Sequence, residues 1–141
     1  DASHCILLIG AKNSPIGLEG CSYCGFENCA EMVKAGANCA FNITDLGIAV
    51  GSAVSVAADN RIDNRVLFSA GKAAVRSGFM SETVRVCYGI PLATAILSPF
   101  FNFLFEFSEH IIKLILALIY NFNCNLMVIC VRHIIPCRKS L

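Results

Sequence analysis

The chain has 141 residues, enough for one domain with a core of its own. Eleven basic and ten acidic side chains leave a formal charge of +1, which excludes the basic excess of a dedicated nucleic-acid binder. The apolar share of 56% and charged share of 15% depart from the roughly 45–50% and 25% of ordinary soluble domains, and most of that excess lies after residue 95.

CILLI (5–9), closed by Gly10, is short, apolar and β-branched, and reads as a buried strand. AKNSPIGLEG (11–20) is rich in turn formers and reads as a loop leading to GCSYCGFENC (20–29). Residues 27–35 favour helix, with Gly36 as C-cap, so a short helix is predicted to begin near Cys29 with its positive dipole end toward the thiols. Thr44 or Asp45 is predicted to cap a second helix, LGIAVGSAVSVAAD (46–59). Gly47, Gly51 and Ser55, and likewise Ala49, Ala53 and Ala57, recur every four residues. Such rows predict close packing against another backbone rather than a membrane dimer, because Asp45 and the polar loop DNRIDNR (59–65) flank the helix.

VLFSAGKAAVRSG (66–78) reads as a third helix ending at Gly78, and VRVCYGI (84–90) as a strand closed by Pro91. The order predicts a mixed α/β (α+β) fold: a small sheet with packed helices and a Cys-rich loop, part of a larger domain, whose two distant strands lie side by side. This domain is placed at residues 1–94.

Residues 95–141 form an apolar tail predicted to be helical. Leu114–Val131 holds eighteen residues without a formal charge, the lower edge for a membrane span, but three central asparagines count against membrane contact. The remaining readings are a helix face of Ile112, Leu116 and Ile119 against an absent N-terminal half, or a shifted reading frame. His110 and His133 have no carboxylate or nucleophile placed beside them.

The chain has nine cysteines and opens with Asp1 rather than Met, from which an absent N-terminal part is expected. Residues 1–20 show no secretory signal, so a cytoplasmic location is expected, and clustered thiols there hold metal or do redox chemistry rather than form a disulfide framework. Cys21, Cys24, Cys29 and Cys39 are spaced C-x2-C-x4-C-x9-C. Four thiolates match the ligand count of a zinc site and of a [4Fe-4S] cluster. A single C-x2-C pair, with the third cysteine at a helix start, favours iron–sulfur over zinc; incidental thiols are the remaining alternative. Gly25 is expected to let the backbone pass close to a cluster without a Cβ clash. Cys5 and Cys87 sit in apolar strands as small hydrophobes, and Cys124, Cys130 and Cys137 show no ligand spacing.

CSYCGFENCAEMVKAGANCAF resembles a [4Fe-4S] module of anaerobic redox proteins, C-G-x-C-G-F/Y-x-x-C-x-x-F/Y followed by a distant cysteine. That module occurs in the gamma subunit of the acetyl-CoA synthase/CO dehydrogenase corrinoid protein and in the B subunit of a membrane electron-transport complex. Ser22 stands where its second residue is usually glycine. Over residues 4 to about 92, LIGAKNSPIGLEGCSYCGF, CAFNITDLGIAVGSAVSVAADNRIDNRVLFSAGKAA and YGIPLATA are similar to an uncharacterised ferredoxin-domain family of anaerobic bacteria and archaea. The resemblance implies a [4Fe-4S] cluster on Cys21, Cys24, Cys29 and Cys39, electron transfer with a redox partner protein, and an additional N-terminal half or second subunit. GIPLATAILSPFFN lacks the Gly-Lys of the family phrase GIPLSATGKSPFFDR, and the tail that follows is unlike the family. A helix of small residues before a strand ending Gly-Ile-Pro is faintly similar to flavin-binding nitroreductases, which keeps FMN and a reductase fragment as a third reading.

Overall fold

The structure, a computed structural model, describes residue 3, residues 5–93 and, as backbone, residues 126–132. Its elements are β1 (Cys5–Lys12), α1 (Cys29–Lys34), α2 (Ala40–Asp59), β2 (Asp63–Asn64), α3 (Phe68–Arg76), β3 (Val84–Ala93) and β4 (Leu126–Arg132). The strands form one sheet in the order β2-β3-β1-β4, every pair antiparallel. The two strands expected to be neighbours are: Cys5 faces Leu92 and Gly10 faces Cys87.

Both faces of this sheet are covered, which is why CILLI is continuously apolar instead of alternating. Leu7, Ile9 and Ala11 of β1 and Ile90 and Leu92 of β3 pack with Leu46, Ala49, Val50, Ala53 and Ala57 of α2. On the other face Leu8, Val84 and Cys87 pack with Ala74 of α3 and Met80. Each fully buried Leu or Ile contributes about 1.5–3 kcal/mol.

The row Ala49–Ala53–Ala57 packs as expected. The row Gly47–Gly51–Ser55 does not: it is exposed, and a Cβ at Gly47 or Gly51 would meet nothing among the described residues. The close backbone approach occurs elsewhere, at α3, where a Cβ on Gly71 would run into the Cys87 carbonyl of β3. By length and composition α2 could cross a membrane, with a mean hydropathy of 1.4; its buried row lies against the sheet.

Three boundaries differ from expectation. First, α2 starts at Ala40 with Cys39 as its N-cap, one turn before Thr44, whose hydroxyl donates to the Ala40 carbonyl (3.0 Å) instead of capping. Second, β3 runs through Pro91. Gly89 exchanges both backbone hydrogen bonds with Leu67, so Pro91, two residues on, directs its nitrogen to the same edge. There the chain between Asn64 and Leu67 makes no ladder bond, and the missing N–H costs nothing. Third, the polar segment 59–65 contributes the two-residue strand β2.

The helical tail is corrected where it is described: Leu126–Arg132 is a strand on the outer edge of β1, with Cys5 facing Arg132. A short apolar run such as LMVICV fits either a helix or a strand, and here an open sheet edge decides. The boundary at residues 94 and 95, His110, His133 and the rest of the tail lie outside the described residues.

The three described helices end alike, with the second residue past the C-cap donating back five positions: Ala37 to Met32 (3.0 Å), Ile62 to Ala57 (2.9 Å) and Phe79 to Ala74 (3.0 Å). Gly36 and Gly78 supply the left-handed residue as expected, whereas in α2 it is Arg61 (φ 57°).

Cys87 is a core thiol. Burial raises its pKa from 9.0 to about 11, against the lowering effect of a backbone hydrogen bond with Ile9. Folding therefore favours the protonated thiol, a contribution present below pH 9 and lost as pH rises from about 9 through 11. Urea titrations across that range are expected to show falling stability in the wild type and a shallower fall in Cys87→Ala.

Candidate metal centre

The cysteine segment hangs between β1 and α2 and is tied to the sheet by amides. Asn42, in the first turn of α2 and 2% exposed, donates from Nδ2 to the carbonyls of Lys12 (3.0 Å) and Ser14 (2.8 Å). Asn13 donates to the Ala37 carbonyl (3.3 Å), and Arg85 of β3 donates to the Gly36 carbonyl (2.6 Å). Fully buried Met32 seats α1 beneath the loop. Sequence reasoning passed over Asn13 and Asn42; two asparagines flanking a cysteine loop were the available signal. The Oδ1 atoms of both are buried and have no hydrogen-bond partner among the described residues.

Cys21, Cys24, Cys29 and Cys39 all line one cavity of about 20 Å³, with Leu18, Tyr23, Phe26, Met32 and Phe41 around them. All four are free thiols. Cys29 is the first residue of α1, where the Asn28 side chain accepts from the Glu31 amide (3.0 Å), as the expected helix start near Cys29 requires. Cys39 caps the twenty-residue α2 without a side-chain hydrogen bond, and no acidic residue occupies that first turn. Its sulfur therefore stands at a helix end whose first amides have no intrahelical acceptor and whose dipole favours negative charge.

The donor set suits a four-thiolate group in its chemistry. Among the described residues, however, no three His, Cys, Asp or Glu side chains stand close enough to hold a metal ion as placed. A cavity of about 20 Å³ has room for about one water, so the four thiols as placed do not enclose a cluster.

The loop bearing Cys21 and Cys24 is turned by left-handed residues. The Gly25 amide donates to the Ser22 carbonyl (2.9 Å), with Gly25 at φ 83° and Ser22 at φ 48°. A Cβ on Gly25 would meet nothing within 4 Å among the described residues, and its left-handed backbone by itself favours glycine. Ser22 bears a side chain in the same region of backbone space, where glycine is unstrained. Ser22→Gly is expected to raise stability by about 1 kcal/mol, read as a higher urea midpoint. It gives up only a 3.4 Å hydroxyl contact to the Glu27 carbonyl.

Residues 35–102 match a family described as uncharacterised proteins containing a ferredoxin domain. The matched segment holds Cys39 and begins after Cys21, Cys24 and Cys29. An uncharacterised protein of Archaeoglobus fulgidus is 44% identical over 108 residues, covering 71% of this chain and 58% of its own length. The chain thus spans little more than half of that archaeal relative. No solved structure matches. Over residues 35–102 the chain is similar to this ferredoxin-domain family, whose description points broadly to iron–sulfur binding and electron transfer.

Proposed function

We propose that the chain is an iron–sulfur electron-transfer protein, or the cluster-bearing part of one, with Cys21, Cys24, Cys29 and Cys39 holding a [4Fe-4S] cluster. The observation that carries this reading is the convergence of four free thiols from two separate segments on one cavity, with Cys39 at the amide end of α2. When bound, such a cluster supplies reversible one-electron transfer, at a potential set by burial and by hydrogen bonds to sulfur. The chain's own part is to place the thiolates, direct the first amides of α2 toward them and shield them with Met32, Phe26 and Phe41. The partner is a redox protein, with the remainder of a longer chain or a second subunit completing the domain, in a reducing cytoplasm that keeps the thiols free.

Iron, sulfide and zinc analysis with a visible spectrum, on anaerobically prepared protein, tests the reading. Broad absorbance near ~400 nm with about four irons and four sulfides per chain is the expected result. Stoichiometric zinc without colour would instead make the site a structural module of an interaction protein.

A further inference from the structure

Tyr23 sits between Cys21 and Cys24, and the residue is 77% exposed. Phe41 sits two residues after Cys39, in the first turn of α2. The two rings are stacked, with centroids 5.6 Å apart and planes inclined by 15°. Both residues line the cavity that the four thiols share. The stack thus joins the two segments that supply the cysteines, across a loop whose other described ties are local: the Gly25 amide to the Ser22 carbonyl and the Ser22 hydroxyl to the Glu27 carbonyl.

We propose that the Tyr23–Phe41 stack is the clasp of the thiol site: it holds the Cys21–Cys24 loop against the end of α2 that carries Cys39 and restricts access to the sulfurs. The thiols as placed do not enclose a cluster, so the clasp also governs how easily the site rearranges to seat one. Two aromatic faces in stacked contact add an attraction beyond the area they bury. The contact uses ring faces, so phenylalanine serves at position 23 and alanine does not. Tyr23 is a positioning residue in this role, since it acts by holding the loop that carries Cys21 and Cys24.

The first test needs no cluster. In reduced, metal-free full chain, iodoacetamide labelling is followed at each cysteine by mass spectrometry, with buried Cys87 as the internal reference for folding. Tyr23→Ala is expected to speed labelling of Cys21 and Cys24 by about two- to tenfold, while Cys87 stays protected and Tyr23→Phe behaves as wild type. Equal rates in wild type and Tyr23→Ala overturn the proposal, as does a Tyr23→Phe as fast as the alanine variant. If Cys87 becomes reactive in Tyr23→Ala, Tyr23→Leu is measured in its place and judged by the same comparison.

The second test rests on the proposed cluster. In iron-loaded protein the air-induced loss of visible absorbance is expected to quicken by a similar factor in Tyr23→Ala and not in Tyr23→Phe. A wild type that binds no iron removes the proposed function, and the labelling comparison still decides the clasp. A wild type that binds iron but bleaches at the same rate as Tyr23→Ala keeps the function and removes the clasp.

Discussion

Gly71→Ala is expected to lower the unfolding free energy by about 3 kcal/mol, the upper part of the range for overpacking a filled site. The added Cβ would run into the Cys87 carbonyl and lie 2.7 Å from the Tyr88 Cα, and backbone atoms of a central strand cannot step aside as a flexible side chain can. Across the same contact a Cβ on Gly89 would lie 2.7 Å from the Ala70 Cβ, so α3 and β3 approach through glycine on both sides. Urea unfolding at fixed pH measures the effect. Gly47→Ala supplies the contrast, since it lies inside α2 with nothing within 4 Å of a new Cβ. There alanine is expected to add about 0.5–1 kcal/mol by helix propensity alone. A loss at Gly47 instead would show that another segment of the chain or a partner rests on that face of α2.

The same two glycines show what the sequence discloses and what it withholds. Spacing by four marks Gly47, Gly51 and Ser55 as a seam, yet the packed row is Ala49, Ala53 and Ala57, on a neighbouring side of the same helix. Both rows fit a 3.6-residue period equally well, and only the position of the sheet distinguishes them. Gly71 carries no periodic signal, because its constraint comes from a strand sixteen residues away. Gly36 and Gly78 were legible as helix ends because their requirement is local, a left-handed residue after the C-cap. Arg61 meets the same requirement with a side chain, and Ser22 is left-handed in the turn of the cysteine loop; composition flags neither. Pro91 misleads in the opposite sense: the rule that proline ends a strand fails where its nitrogen faces a gap in the ladder. For the site, sequence spacing identified the four cysteines that the fold brings to one cavity. The amide ties from Asn13 and Asn42 that seat the loop follow from tertiary placement.

Cys39→Ser separates ligand loss from loss of fold, and its effect on the proposed cluster is expected to be nearly complete. Cys39 is 6% exposed and caps α2 without using its side chain. Serine is among the best N-cap residues, its hydroxyl able to accept from an amide in the first turn, a gain of about 0.5–1 kcal/mol over a residue that does not cap. The variant should therefore keep its helix content and unfold at an equal or higher urea concentration, while iron and sulfide fall from about four each per chain to a small remainder. Cys87→Ala makes the reverse case. Its thiol faces the α3 side of the sheet among Leu8, Ala74 and Val84, so the substitution is expected to leave iron content unchanged and to lower stability by about 1 kcal/mol for the lost sulfur contacts. Measured together by metal analysis and urea unfolding, the two variants should move opposite quantities. Iron retained in full by Cys39→Ser would remove Cys39 from the ligand set, whereas iron lost from Cys87→Ala would place a ligand in the core, away from the cavity.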